Sequence, residues 1–298
     1  MDSLSRLIRL AHLEGGLDMR CLMAGQFTLD REAAGRGEAP FYLVLEGRCT
    51  VLAGPATVEL GPGDLLLLPR GEAHQVRVTS GVPLRYDDEP GPTFVTHRTV
   101  GAEPELDLFC GHYFFGSAAG TVLFRLLPAR VHVTLDAPAL TLANLLRGEA
   151  QFDGPATAAI VCSLTDALLG MALRSRPEQR LDTPALWTAM GDDALGRVIA
   201  GIVERPGEPW TIDRMAAAAS MSRATFVRRF SARTGTTVAT LLTSIRLMVA
   251  ADLLLHTDHP VARIAADVGY HSESAFILAF RTTVGTPPAQ FRKNSVRD

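Results

Sequence analysis

The chain has 298 residues, 47 % of them apolar and 20 % charged, with a formal net charge of -3. That length exceeds what one hydrophobic core usually organises, so two domains are expected, and the balance of apolar to charged residues excludes a long disordered chain. The charge is unevenly placed: residues 1–190 hold 16 Lys and Arg against 22 Asp and Glu, whereas residues 191–298 hold 13 against 10, so the C-terminal part is the basic one.

Arg6, Arg9 and Glu14 interrupt the leucines of the N-terminus, and no run approaches ~18 uninterrupted apolar residues. Neither a signal peptide nor a membrane span is therefore expected, and the protein is read as cytoplasmic. The four cysteines, Cys21, Cys49, Cys110 and Cys162, lie far apart without a CxxC pair, which fits reduced thiols better than a disulfide scaffold or a structural zinc.

From Cys21 to about His132 short apolar runs alternate with Gly and Pro: Phe41–Leu45, Thr50–Leu52, Leu65–Leu68, Gln75–Val78 and Leu106–Phe115. Such spacing predicts a β-barrel or sandwich. After Pro138 the rhythm becomes helical, with Leu140, Leu142, Leu145 and Leu146, and again after Pro155 with Ala159, Ile160, Leu164, Leu168 and Leu169, so two helices close the first domain. On the second of these, Ala159, Ile160, Ser163, Ala167 and Leu168 offer a small-residue apolar seam. It suits a homodimer contact, and packing onto the barrel is the alternative. The polar, Pro-containing stretch 174–184 marks the transition, and the domains are placed at 1–180 and 194–298 with a linker over 181–193.

The C-terminal part repeats itself. Ser222, Phe226, Phe230 and Gly235 recur as Ser272, Phe276, Phe280 and Gly285, and Ile212, Met215 and Ala216 recur as Val261, Ile264 and Ala265 one residue closer. The second copy thus carries one extra residue in its turn, which contains Gly269. Each copy reads as an apolar helix, a short turn, a Ser N-cap and a second helix with Phe at i and i+4, which is helix-turn-helix logic. The helices are predicted over Thr211–Ala219 and Ser222–Arg233, then over Val261–Val268 and Ser272–Thr283. A connecting helix from about Val238 to His256 presents Val238, Leu241, Leu242, Ile245 and Val249 on one face. It spans about 28 Å, close to the ~34 Å helical turn of B-DNA, so the two second helices can enter successive major grooves.

The run Ser222-Arg223-Ala224-Thr225-Phe226-Val227-Arg228-Arg229-Phe230, together with Gly269-Tyr270, Ser272, Ser274, Phe276 and Gly285-Thr286-Pro287, resembles the AraC/XylS-family DNA-binding domain over about Leu195 to Lys293. The resemblance implies a transcription regulator that binds double-stranded DNA, works with RNA polymerase as an activator, and needs no cofactor. It points Ala224, Val227 and Arg228 toward the bases and sets Ser222, Arg223 and Thr225 near the phosphates. Arg228 can donate two parallel hydrogen bonds to guanine, whereas Val227 and Ala224 can only pack against thymine methyls. The second unit departs from the pattern, because Ile277 and Leu278 stand where a basic residue is common. Base preference there rests on His271, Glu273 or Ser274, with Ser272 and Arg281 holding the backbone.

In the first domain, Gly61-Pro62-Gly63-Asp64, Leu65–Leu68 and Pro69-Arg70-Gly71-Glu72-Ala73-His74 resemble the second half-motif of cupin barrels. The expected fold class is α+β: an N-terminal cupin-like β-barrel with two flanking helices, then an all-α domain with two helix-turn-helix units. His74 falls where cupin enzymes place a metal ligand, and Cys110 and His112 on one strand face are candidates to complete an unusual site with it. The segment around Phe41–Gly47 lacks the His-x-His of a cupin metal centre, which favours a packed or hydrogen-bonded His74. It also weighs against the alternative reading, a cupin metalloenzyme with a DNA-binding appendage. The opening Met1-Asp2-Ser3-Leu4-Ser5-Arg6-Leu7, Cys21, and Phe109-Cys110-Gly111-His112 resemble a cupin-bearing subgroup of this family, some members of which respond to reactive chlorine through cysteine oxidation. That implies Cys21 as sensor and Cys110 as its resolving partner, buried small hydrophobes being the bland alternative; a small ligand bound in the cupin-like domain is the other controlling signal that the sequence leaves open. Cys21, next to Arg20 and ahead of the first clear strand, is expected to be partly exposed and acidified.

Overall fold

The computed structural model describes residues 2–35, 37–91, 93–115, 118–152, 154–174 and 186–294. In chain order the first half comprises α1 (Ser3–Ala11), β1 (Glu14–Met23), β2 (Phe27–Arg31), β3 (Glu38–Glu46), β4 (Cys49–Ala53), β5 (Ala56–Leu60), β6 (Asp64–Leu67), β7 (His74–Val78), β8 (Tyr86–Pro90), β9 (Val95–Thr99), β10 (Leu106–Phe114), α2 (Ala118–Leu126) and β11 (Val131–Thr134). The second half is helical: α3 (Ala137–Glu149), α4 (Thr157–Arg174), α5 (Leu186–Met190), α6 (Asp193–Glu204), α7 (Ile212–Ala218), α8 (Arg223–Thr234), α9 (Val238–His256), α10 (Val261–Asp267), α11 (Glu273–Val284) and α12 (Pro288–Asn294).

The chain divides into two compact units. The β-rich unit, Glu14–Phe114 with Ala129–Gln179, holds a seven-stranded sheet ordered β11-β6-β3-β10-β1-β9-β8 and a four-stranded sheet ordered β2-β7-β4-β5. Between them lies a core of Tyr42, Val44, Val51, Leu66, Leu68, Val76, Leu106 and Leu108 that also takes in Cys21, Cys49 and Cys110. The five strands read from the sequence are all present. β1, β2, β5, β8, β9 and β11 lack the runs of apolar residues that would have announced them; β8, Tyr-Asp-Asp-Glu-Pro, is exposed along its length. The expected helices after Pro138 and Pro155 are α3 and α4, α3 being capped by Asp136, which accepts from the Ala139 amide at 3.0 Å.

The helical unit, Met1–Leu13 with Phe115–Pro128 and Arg180–Asp298, draws on three separate stretches of chain. Leu7, Leu10 and Ala11 of α1 and Ala119, Val122 and Leu123 of α2 join one buried core with Phe226, Phe230, Phe276, Phe280 and most of α9. This explains why α9 buries Leu247, Ala250 and Ala251 besides Val238, Leu241 and Ile245, more than the single face its sequence suggested. A helix apolar all round belongs in a core. α4 and α9 are long and apolar enough to cross a membrane, and each buries a large part of its length within its own unit. Of the linker read over 181–193, residues 181–185 lie outside the described residues, while Leu186 and Ala189 of α5 are buried in the helical core and Asp192 caps α6.

Because Leu7 is fully buried in that shared core, Leu7→Ala should destabilise the helical unit by about 2–5 kcal/mol. Denaturant unfolding of the full chain, followed by helical circular dichroism, measures it; an unchanged midpoint would remove α1 from the core of that unit.

Candidate DNA interface and barrel thiol pair

The helix-turn-helix units are built by the same local rules twice. Thr211 caps α7 by accepting from the Arg214 amide at 3.2 Å, and Ser222 caps α8 by accepting from the Thr225 amide at 3.2 Å. In the second copy Ser272 caps α11 through the Ala275 amide at 3.3 Å, while Pro260, in the place of Thr211, caps with no side-chain bond. Both turns close alike, the Met221 amide donating to Ala216 O at 2.9 Å and the Tyr270 amide to Ala265 O at 2.8 Å. The left-handed residue in each is Ser220 (φ 56°) and Gly269 (φ 88°). Glycine takes that conformation without cost, whereas serine meets a Cβ clash. The extra residue of the second copy is His271, set between Tyr270 and the cap.

Phe226 and Phe230, like Phe276 and Phe280, are fully buried, so the opposite faces of α8 and α11 are left outward. Ser222, Arg223, Ala224, Thr225, Val227 and Arg228 are all exposed, as are His271, Ser272, Glu273, Ser274 and Arg281. Arg229 is held by an ion pair with Asp192, and Arg223 lies 3.5 Å from Asp213. Arg228 and Arg281 make no ion pair among the described residues, which leaves their guanidinium groups available. Leu278, in the place of Arg228, is 57 % exposed, an apolar side chain on the outward face of α11.

In the β-rich unit, Cys21 and Cys110 stand on adjacent antiparallel strands as a diagonal pair: Cys21 faces Leu108 and Cys110 faces Met19. Both are 2 % exposed, and the two thiols are in hydrogen-bonding contact. That contact, with burial, holds the Cys21 thiol well above its ordinary ionisation range. The expectation of a partly exposed, acidified Cys21 is therefore corrected. Cys21 lies within a strand, and Arg20 points to the other face, where it forms a bidentate pair with Asp107 at 2.9 and 2.7 Å. The cation near the thiols is Arg31, at the end of β2 and within hydrogen-bonding reach of Tyr42. Nothing in the sequence around Phe27–Arg31 announced a strand, and that is why Arg31 escaped notice. Cys49, in the same core, is pushed up to about 12 by burial.

His74 and His112 do not come together with Cys110 as a ligand set. The Nδ1 of His74 lies 2.6 Å from Glu72 O and so carries the proton, leaving Nε2 to accept from the Tyr42 hydroxyl at 2.5 Å. Both nitrogens are occupied, and burial lowers the pKa of the ring. His112 Nδ1 instead reaches Asp18 at 2.8 Å, which raises its pKa. On α4, Ala159, Ile160, Ser163 and Ala167 of the apolar seam are exposed while Leu168 is buried.

The Cupin family is matched over residues 2–176, and the Helix-turn-helix domain family over residues 215–294. The chain is 32 % identical to the HTH-type transcriptional regulator MtrA of Neisseria gonorrhoeae, over 98 % of each chain. It is 30 % identical to an uncharacterized HTH-type transcriptional regulator of Haemophilus influenzae, over 99 % of each. A third relative, 27 % identical over 98 % of each chain, is the RCS-specific HTH-type transcriptional activator RclR of Escherichia coli.

With one exposed and three buried cysteines, brief treatment of the folded protein with iodoacetamide at neutral pH should label Cys162 alone, and unfolding should expose all four. Peptide mass spectrometry reads this directly; rapid labelling of Cys21 in the folded chain would contradict its burial.

Proposed function

The chain belongs to the helix-turn-helix transcriptional regulators that carry an N-terminal cupin, and from that premise we propose a cytoplasmic activator, acting with RNA polymerase, whose DNA binding is governed by the Cys21–Cys110 thiol pair. The observation that carries the DNA-binding half is the duplicated unit, in which each second helix buries its phenylalanines and leaves the opposite face exposed. Its relatives are named as regulators. α9 has 19 residues and so spans about 28 Å, a length that suits two successive major grooves on one side of the duplex.

In this reading Arg228 reads a guanine, and the outward face of α11 carries less base preference because Leu278 offers no hydrogen bond. Ser222, Arg223, Thr225, Ser272 and Arg281 hold the backbone, and the exposed residues of α4, with Ile160 at their centre, pair two copies of the chain. Oxidation by a hypochlorous-type oxidant converts the Cys21 thiol to a sulfenic acid with release of chloride and a proton. The Cys110 thiol then attacks that sulfur, expelling water and closing a disulfide. Burial and a high ionisation threshold favour a small, neutral, highly reactive oxidant over reagents that need an exposed thiolate. A name specifying RCS for one relative supports the same direction.

The signal has a covalent route. β1, which carries Cys21, follows directly on α1, and β10, which carries Cys110, leads directly into α2; both helices belong to the core of the DNA-binding unit. A disulfide that pulls on the β1–β10 ladder pulls on the two segments entering that core.

Arg228→Ala is expected to weaken operator binding by about 1–3 kcal/mol and to relax base preference at one position, with Leu278→Ala changing little. Titrations over a series of salt concentrations separate lost base contact from lost phosphate contact; unchanged affinity and salt slope would remove α8 from the interface. Cys21→Ser and Cys110→Ser should each abolish hypochlorite-dependent transcription while leaving operator binding by the reduced protein intact. An undiminished response in both variants would refute thiol control.

A further inference from the structure

We propose that His12, Asp252 and His256 form a binding site for a divalent transition-metal ion of the zinc class, set where α1 ends and fastening it to the end of α9. The site lies wholly within the helical unit and rests on neither the DNA-reading nor the thiol assignments.

Three features of the geometry point to a metal. One carboxylate oxygen, Asp252 Oδ1, is approached by two imidazole nitrogens, His12 Nε2 at 3.4 Å and His256 Nδ1 at 3.2 Å. Both separations are longer than a good N–H···O hydrogen bond. They match the ~3.3 Å that separates two ligand atoms of a tetrahedral zinc held at ~2.0–2.1 Å. All three ligand atoms lie within 4.8 Å of one another, and metal binding draws the two nitrogens together to complete the third edge.

The backbone prepares this set. Asp252 and His256 are four apart on α9 and therefore share a face. His12 is the C-cap of α1 in a left-handed conformation (φ 45°, ψ 59°), which histidine adopts at some cost, and it stacks its ring over His256 with centroids 5.3 Å apart. Two imidazoles and one carboxylate are a donor set that selects zinc, cobalt, nickel or copper over calcium or magnesium. Three protein ligands leave one position of a tetrahedron open to water or an anion.

The cavity at this point is also lined by Arg6, Arg9 and Leu10. Arg6 is directed to Glu204 O at 3.4 Å. Two guanidinium groups beside a cation weaken its binding, and they favour an anion as the fourth ligand. Coordination through His256 Nδ1 displaces the proton that this nitrogen otherwise shares with Asp252 O at 3.0 Å. That proton moves to Nε2 of the same neutral ring, so only full protonation of an imidazole competes with the metal, and binding weakens in mild acid.

The test uses the full chain in a Cys162→Ser background, which removes the exposed thiol, freed of metal and titrated with Co²⁺ and with Zn²⁺. The expected result is one equivalent bound, with a nitrogen/oxygen-type cobalt spectrum free of thiolate charge transfer and weaker binding in mild acid. His12→Asn keeps a residue that tolerates the left-handed backbone, and His256→Gln keeps the helix; each should lose affinity by about tenfold or more while folding normally. Saturating Zn²⁺ should raise the unfolding midpoint of the parent and not of either variant. Equal affinity in the parent and both folded variants, or a thiolate-type spectrum, would overturn the proposal.

Discussion

The antiparallel ladder between β1 and β10 sets the position of nearly every notable side chain in the β-rich unit, and its register turns on a single bulge. Gly15 faces Tyr113 and Leu17 faces Gly111, yet Met19 faces Cys110, so Asp18 is the extra residue. Without it Cys21 would stand opposite Asp107 and present its thiol to the wrong side of the sheet, since a one-residue slip exchanges the two faces. With it, one face holds the diagonal Cys21–Cys110 pair and the other holds the diagonal Arg20–Asp107 pair, which Arg147 joins at 2.9 Å. His112 fastens the bulge by binding Asp18. Gly111 permits the ladder to close: a Cβ there would meet Gly16 O at 2.2 Å and the ring of Phe41 at 2.7 Å. The histidine that looked like a metal ligand in the sequence is thus part of what fixes the thiol register.

The same two strands are continuous with the helical unit. α1 and α2 are not ornaments of the barrel; their apolar faces belong to the core shared by both helix-turn-helix units. A fully buried leucine contributes about 1.5–3 kcal/mol when taken out of water, so Leu7, Leu10, Val122 and Leu123 together anchor these segments in the helical core. This gives α9 its composition. A connecting helix that served only to space two DNA-reading units would need one apolar stripe, whereas α9 is covered on several sides and is accordingly apolar around its circumference.

What the sequence made legible follows from how local each signal is. The helix-turn-helix repeat rests on caps, i and i+4 phenylalanines and terminal glycines, all within a dozen residues, and α9 begins and ends where the spacing placed it. Cupin strands with apolar runs, such as Phe41–Leu45 and Leu65–Leu68, were equally plain. β1 was hidden because Arg20 breaks its apolar run and Asp18 breaks its alternation, although Arg20 is buried through its pair with Asp107. The proximity of Cys21 and Cys110 depends on a register between residues nearly ninety positions apart, which periodicity does not encode. For α1 the leucines were visible, but nothing local told that their partners lie some two hundred residues downstream. The His12, Asp252 and His256 cluster was invisible for the same reason.

The two recognition helices are not energetic equals. Each is capped by serine, buries two phenylalanines and ends on a left-handed glycine, so the scaffold treats them alike. They differ in what the outward face offers. α8 presents Arg228, which makes no ion pair among the described residues, beside Val227, which is 37 % exposed, a combination able to discriminate guanine and to pack on a thymine methyl. α11 offers Leu278 in the arginine's place, flanked by Ser274 and Glu273, and a leucine has no donor with which to reject a wrong base. A good bidentate contact is worth about 1–3 kcal/mol of discrimination, while backbone contacts carry none. In the docking proposed above, the duplex is read mainly through α8 and α11 chiefly holds the second groove, so the proposed site is asymmetric in information as well as in sequence.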